Sequence, residues 1–180
     1  MSDFISPHHL LLRALKRRRV DFVVIGVSVI NYYARDTREI ISTGDYDIFI
    51  RSGVVNVERA LEVLLKEGCS VSYKPRGIEE LVPVRRSGLE VCRKIVQDKS
   101  VVIAVGPYES VFELVQMISG FTFEEIKRRS VKMRDWKLRT TFPVGRLEDL
   151  LESKRVANRE KDRLFLQKYK DILLRPPWQT

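Results

Sequence analysis

The apolar residues of the chain recur at two kinds of spacing, which predict alternating helices and strands. Helices predicted from intervals of three and four residues cover residues 7–19, 27–34, 55–67, 109–118, 123–129 and 146–175. Strands predicted from continuous or alternating apolar runs cover residues 22–25, 45–50, 69–73 and 101–105. Two hairpins are predicted, one pairing 93–97 with 101–105 and one pairing 131–133 with 138–141. Within the last helical stretch, Asn158 predicts a break into two helices.

This order of elements predicts an α/β (α+β) fold, in which helices flank a β-sheet and a helical region follows at the C-terminal end. A chain of 180 residues can bury one substantial hydrophobic core but not two large ones. No internal repeat or linker divides the sequence. We therefore expect one domain over 1–180, with a core at about 10–145 and C-terminal helices at 146–175.

Composition narrows the class of protein and of partner. Hydrophobic residues make up 44% and charged residues 32%, which excludes a disordered or fibrous chain. The net charge of +9 favours a polyanionic partner, which is a nucleotide, RNA or an acidic protein surface. The two cysteines are too few for a disulfide scaffold, and no apolar run reaches the length of a membrane span. We expect a cytoplasmic protein that does not contact a membrane.

The residues with the strongest chemical signal lie at the ends of the first two strands. Gly26 ends an apolar strand and precedes a helix, so bare backbone there can approach phosphate closely, with Ser28 nearby. Asp45 and Asp47 are two residues apart on the next strand, so their carboxylates lie on one face. Paired hard oxygen ligands suit Mg²⁺, or Mn²⁺, together with substrate phosphates. The ordered combination is far more specific than an isolated pair of aspartates.

In this combination the sequence resembles the nucleotidyltransferase superfamily that shares the DNA polymerase β fold. It is most similar to small bacterial and archaeal nucleotidyltransferase-like proteins related to toxin–antitoxin and abortive-infection systems. The N-terminal match is Ile25-Gly26-Val27-Ser28 followed by Thr43-Gly44-Asp45-Tyr46-Asp47-Ile48. The C-terminal match is Glu148-Asp149-Leu150-Leu151, Lys154, Ala157, Arg159 and Lys161-Asp162. Together the two motifs bracket about residues 10–170.

The resemblance implies a mixed sheet of the nucleotidyltransferase fold and a reaction. An acceptor hydroxyl would attack the α-phosphate of a nucleoside triphosphate (NTP), and Asp45 and Asp47 would be the catalytic, Mg²⁺-binding residues. The residues implied to bind the nucleotide are Gly26, Ser28, Thr43, Lys154 and Arg159. For Lys154 and Arg159 an internal ion pair with Glu152, Glu160 or Asp162 is the alternative. Trp136 is expected to pack rather than to stack on a base.

The sequence departs from the family pattern at the third carboxylate. The family places that acid on a later strand, which by position is 101–105, and the matching residue is Ala104. Glu109 and Glu113 are possible substitutes, although both fall in a predicted helix. The missing acid keeps a second function open: a catalytically inactive nucleotide- or RNA-binding protein, or an antitoxin-like partner, that kept the fold. Val27 also displaces Ser28 by one position from the family pattern, and the loop 34–42 is long for the family.

Overall fold

The computed structural model describes residues 7–33 and 43–168, where the chain forms eight strands and seven helices. The strands are β1 (Phe22–Val24), β2 (Asp45–Ile50), β3 (Ser70–Lys74), β4 (Val82–Val84), β5 (Val101–Val105), β6 (Val111–Val115), β7 (Val131–Asp135) and β8 (Thr140–Val144). The helices are α1 (Pro7–Arg17), α2 (Val27–Tyr32), α3 (Val54–Lys66), α4 (Leu89–Gln97), α5 (Phe123–Arg129), α6 (Leu147–Ala157) and α7 (Glu160–Lys168). The predicted loop 34–42 and the predicted helical residues 34 and 169–175 lie outside the described residues.

All eight of these strands belong to one mixed sheet, in the order β4-β3-β5-β6-β2-β1-β8-β7. The predicted α/β class, with helices around a mixed sheet and a helical C-terminal region, is confirmed. At the centre of the sheet, β2 pairs with β1 in antiparallel and with β6 in parallel orientation. Because both of its edges are paired, β2 is rigidly held between its neighbours. The two acidic residues of β2 therefore start from a fixed backbone.

The segment 109–118 was predicted as a helix, and this prediction is wrong, because residues 111–115 form β6. Phe112 and Leu114 are buried while residues 111, 113 and 115 are half-buried, which is the two-residue alternation of a strand. A short apolar run satisfies both periodicities, and pairing with β2 and β5 decides between them. The change of element turns Glu113 from a helical side chain into a sheet side chain.

The predicted hairpin between 93–97 and 101–105 is also wrong. Residues 93–97 belong to α4, whose buried side chains Cys92 and Ile95 are three residues apart on one helical face. The strand β5 exists as predicted but does not lie beside β2, because β6 separates them. Ala104 pairs with Phe112, while its neighbour Ile103 pairs with Glu113. Ala104 therefore faces the opposite side of the sheet from Glu113.

The C-terminal helices meet at the predicted break. Asn158 ends α6 in the left-handed conformation, with φ 47°, and α7 begins two residues later. The hairpin predicted from 131–133 and 138–141 is confirmed as β7 and β8, which pair in antiparallel orientation. In the ranges 7–33 and 43–168, no helix has both the length and the apolar character that crossing a membrane requires.

Candidate functional site

Three carboxylates meet on one face of the central sheet. Asp45 and Asp47 lie on β2, and Glu113 on β6 is the register partner of Asp47. One oxygen from each of the three residues lies within 4.8 Å of the other two, and all three side chains are half-buried. The predicted common face of Asp45 and Asp47 is confirmed. The prediction of a degenerate third position at Ala104 is wrong, because Glu113 supplies a third acid from the adjacent strand.

Gly26 lies against this cluster and leaves room for it. Its φ is +78°, and a Cβ built on Gly26 would lie 1.9 Å from Oδ2 of Asp47. The backbone N–H of Ile25 donates to the carbonyl oxygen of Asp47 over 3.0 Å, which fixes the two chain segments relative to each other. Any side chain at position 26 would therefore overlap the Asp47 carboxylate. The predicted proximity of Gly26 to the aspartates is confirmed.

Thr43 and Ser28, the two hydroxyl residues implied to bind nucleotide, have different surroundings. The Thr43 hydroxyl lies 2.8 Å from Oδ1 and 3.0 Å from the carbonyl oxygen of Asp45, so it donates to the residue that it precedes by two positions. This contact orients the Asp45 carboxylate. Ser28 is buried at 6% exposure, and its hydroxyl donates to the carbonyl of Ile25 over 3.2 Å.

The electrostatics of the cluster follow from its burial and its crowding. Burial, followed by the charges of Asp45 and Glu113, raises the pKa of Asp47 to about 6, although the charges of Lys154 and Lys161 oppose the shift. Burial, followed by the charge of Asp45, also raises the pKa of Glu113, and Lys161 again opposes the shift. Full ionisation of the three close carboxylates is therefore disfavoured unless a cation lies among them.

The C-terminal motif contributes cations to the site and an internal ion pair. The buried carboxylate of Asp162, which is 1% exposed, accepts from Lys154 Nζ over 3.2 Å and from Arg159 Nε over 2.5 Å. Lys154 and Arg159 therefore form the internal ion pair with Asp162 that was the alternative to nucleotide binding. The charge of Lys154 also lowers the pKa of Asp47.

Sequence reasoning named Glu113 only as one of two possible substitutes for the third acid, and it missed Lys161. Glu113 was not chosen because its segment was interpreted as a helix, although the alternation of residues 111–115, with valine at both ends, is the signal of a strand. Lys161 was missed as a site residue although it belongs to the C-terminal motif, and it acts on the pKa of both Asp47 and Glu113. The signal in the sequence that could have identified Lys161 was its place beside Asp162 in that motif.

A chain of hydrogen bonds supports the site from the reverse face of the sheet. Tyr46 lies between the two aspartates in sequence and points to the opposite face, where its hydroxyl is 2.5 Å from that of Tyr32. The Tyr32 hydroxyl is 2.7 Å from Nε2 of His9, and Nδ1 of His9 is 2.6 Å from Asp135. With Nδ1–H donating to the Asp135 carboxylate, Nε2 accepts from Tyr32 and Tyr32 accepts from Tyr46. The chain joins β2 to α2, α1 and β7.

With this geometry in place, comparison with known proteins gives structural neighbours only. No protein-family model matches the sequence, and no curated protein matches it. Among solved structures, the Megavirus polyadenylate synthase is similar over 100% of this chain and 34% of its own, with 10% identity and a TM-score of 0.45. The protein JHP933 from Helicobacter pylori is similar over 84% of this chain and 57% of its own, with 11% identity and a TM-score of 0.37. The chain thus spans about a third of the polyadenylate synthase and somewhat over half of JHP933.

Proposed function

We propose that this protein is a nucleotidyltransferase that transfers a nucleoside monophosphate from an NTP to a hydroxyl acceptor. The observation that carries the proposal is the cluster of Asp45, Asp47 and Glu113, whose carboxylate oxygens lie within 4.8 Å of one another beside the backbone of Gly26. The motifs that suggested this family were found in the sequence alone. The pairing of β6 with β2 supports Glu113, one of the two possible substitutes, as the third acid.

The donor set fits a divalent cation such as Mg²⁺ or Mn²⁺. All three ligands are hard carboxylate oxygens, the kind that these ions prefer, and a site of one or two carboxylates plus substrate phosphates is typical for Mg²⁺. The raised pKa values of Asp47 and Glu113 point the same way, because a cation favours the ionised form that crowding disfavours. When bound, the ion would neutralise charge on the phosphates and orient them.

In the proposed reaction the acceptor oxygen forms a bond to the α-phosphorus. The bond from that phosphorus to the oxygen bridging the α- and β-phosphates breaks, and pyrophosphate leaves. Glu113 accepts the proton of the acceptor hydroxyl, because burial and the charge of Asp45 raise its pKa and so make it a stronger base. Asp45, oriented by Thr43, and Asp47, held beside Gly26, keep the phosphate side of the site in place.

The basic residues from α6 and α7 are proposed to face the triphosphate. The charges of Lys154 and Lys161 both lower the pKa of Asp47, and this electrostatic influence on the cluster supports the proposal. The roles of Gly26, Ser28 and Arg159 in binding phosphate stay predictions from the family resemblance. Among them, Gly26 has the strongest support, because its bare backbone borders the cluster.

The alternative function, a catalytically inactive binding protein or antitoxin-like partner, rested on the absence of a third acid. Glu113 removes that argument. The net charge of +9 suits an RNA partner and an acidic protein partner equally, so it favours neither function over the other.

Titration calorimetry with each NTP, in Mg²⁺ and in EDTA, tests the proposal. We expect NTP affinity to depend on Mg²⁺ and Glu113→Gln to reduce the affinity in Mg²⁺ about tenfold or more, the loss that a missing charged contact gives. Pyrophosphate release in the presence of hydroxyl acceptors reports the reaction itself. The same variant should abolish that release.

Glu109→Gln is the matched control. Glu109 is exposed and lies two residues before β6, so its neutralisation changes the net charge equally but leaves the cluster intact. Equal NTP affinity of the wild type in Mg²⁺ and in EDTA would contradict the metal site. Equal losses in Glu109→Gln and Glu113→Gln would show that the effect comes from net charge and not from the cluster.

A further inference from the structure

The β7–β8 hairpin, at the edge of the sheet, is rich in basic side chains that the proposed reaction does not use. Residues 131–144 contain four basic residues and one acidic residue, Asp135. Asp135 is occupied on the reverse face, where it accepts a hydrogen bond from His9. The four basic residues are all exposed: Lys132, Arg134, Lys137 and Arg139. The hairpin therefore presents a positive surface that no acidic residue of its own balances.

The strand register places this surface on the same side of the sheet as the carboxylates. Faces alternate along each strand, and paired residues share a face. By the pairing of β2 with β1, Val23 shares the face of Asp47. By the pairing of β1 with β8, Pro143 lies on that face as well. The pairing of β8 with β7 then places Lys132 and Arg134 on the same face. From β2 to β7 there are three strand spacings of about 4.8 Å, or roughly 14 Å across the sheet. The register also places Arg134 level with Arg51, four residues or about 13 Å from Asp47 along the strand direction.

An aromatic ring stands beside these cations. Trp136 follows β7 and is 73% exposed, and the guanidinium carbon of Arg134 lies 3.9 Å from the centre of its ring. The expectation that Trp136 packs into the protein is wrong, because its ring contacts a solvent-exposed arginine and not the core. An exposed indole costs free energy in water, and the guanidinium of Arg134 is attracted to its ring face.

We propose that the β7–β8 hairpin surface, formed by Lys132, Arg134 and Trp136, binds single-stranded nucleic acid. Unpaired bases stack on exposed aromatic rings, and phosphates contact the lysine and arginine side chains beside them. A duplex keeps its bases stacked on one another and offers no free face to Trp136. An acidic protein would satisfy the cations but would leave the Trp136 ring unmatched.

The position of the surface gives it a role in the proposed reaction, and this role rests on the proposed function. A strand bound at β7 starts on the carboxylate side of the sheet, roughly 20 Å and therefore several nucleotides from Asp47. Its terminal hydroxyl is then the acceptor that attacks the NTP. The surface thus selects a nucleic-acid strand over a small-molecule acceptor.

Fluorescence anisotropy with labelled RNA and DNA oligonucleotides of one mixed 20-nucleotide sequence tests the binding, in EDTA and without NTP. Trp136→Ala should weaken binding about 5- to 150-fold, the loss of a base–aromatic stack, and Trp136→Phe should retain most of the affinity. Lys132→Ala should reduce the slope of log affinity against log salt by about 0.7, whereas Trp136→Ala should leave the slope unchanged. The sugar for which the wild type binds more tightly identifies the natural strand as RNA or DNA.

Arg93→Ala is the matched control, because Arg93 is an exposed cation on α4, outside the hairpin. Equal losses in Arg93→Ala and Arg134→Ala, equal affinity for a duplex of the same sequence, or equal competition by polyglutamate would each overturn the proposal. Glu113→Gln should bind the strand like the wild type. If the hairpin variants lose binding but the wild type releases no pyrophosphate, the proposed reaction alone is contradicted. If the wild type releases pyrophosphate but the hairpin variants bind the strand normally, the hairpin surface alone is contradicted.

Discussion

Glu113 lies directly opposite Asp47, because β6 pairs in parallel with β2 and these two residues are register partners. In a parallel pair, partners project from the same face, so the carboxylate of Glu113 joins those of Asp45 and Asp47. Two strands that are far apart in sequence thus complete one acidic cluster. The crowding of that cluster, the glycine beside it and the buried ion pair behind it each have measurable consequences.

Gly26→Ala should disrupt the cluster. The new Cβ would lie 1.9 Å from Oδ2 of Asp47, at a φ of +78°. With ψ at −163°, Gly26 has a backbone conformation that is essentially restricted to glycine. We expect the free energy of unfolding to fall by about 2–6 kcal/mol, from backbone strain plus overpacking, and Mg²⁺-dependent NTP binding to be lost. Urea denaturation and calorimetry measure the two effects.

Gly77→Ala is a control for a positive φ without a steric contact. Gly77 has the same φ of +78°, but nothing lies within 4 Å of a Cβ there. This variant should lose only the backbone part, about 1–2 kcal/mol, and should bind NTP like the wild type. An equal effect of both substitutions would show that the contact with Asp47 has no energetic importance.

The stability of the protein should respond to the titration of Asp47. Its pKa in the folded state is raised from 3.8 to about 6, so folding favours the protonated form. This contribution is present below about pH 4 and is lost as the pH rises through about 6, and Glu113 acts in the same direction. Asp47→Asn removes the titrating group. The unfolding free energy of the variant minus that of the wild type should therefore increase between about pH 4 and pH 7, by on the order of 1–3 kcal/mol.

Urea denaturation at four pH values across that range gives the difference curve. Addition of Mg²⁺ at neutral pH should stabilise the wild type and should leave Asp47→Asn nearly unchanged, because the cation needs the ionised cluster. A flat difference curve would mean that Asp47 is not destabilised by its neighbours in the folded protein.

Asp162→Asn should loosen the junction of α6 and α7. Asp162 is 1% exposed and pairs with both Lys154 and Arg159, so its neutralisation leaves two cations without their shared carboxylate. We expect a loss of about 2–4 kcal/mol in the free energy of unfolding. Glu160→Gln, an exposed position two residues earlier, should change it by less than about 0.5 kcal/mol. Thermal and urea denaturation that rank the two variants equally would contradict the structural role of Asp162.

The hydroxyl groups of Tyr32 and Tyr46 should be energetically coupled. They lie 2.5 Å apart, and burial raises the pKa of Tyr32. In a double-mutant cycle of Tyr32→Phe and Tyr46→Phe, we expect a coupling free energy of about 1 kcal/mol. Each single substitution leaves one buried hydroxyl without this partner, whereas the double substitution removes both. Additive single effects would show that the hydrogen bond makes no net contribution.

The sequence by itself predicted the local parts of this protein. The runs of apolar residues predicted β1, β2, α1, α3 and the break at Asn158, because each depends on spacing within a few residues. The two-residue spacing of Asp45 and Asp47 predicted their common face for the same reason. Trp136 was predicted to pack, but its environment depends on what covers a sheet edge, which no local pattern records.

Only the tertiary structure decided which strands are neighbours. Residues 111–115 satisfy both a helical and an alternating pattern. As a strand they pair with edges of β2 and β5 that would otherwise have unpaired backbone groups, and this favours the strand. That pairing brings Glu113 to Asp47 across 66 positions of the chain, and it removes Ala104 to the opposite face of β5. Local patterning fixes which way a side chain points on its own strand. Its partner on the next strand is fixed by long-range hydrogen bonding and burial, which the order of residues along the chain does not display.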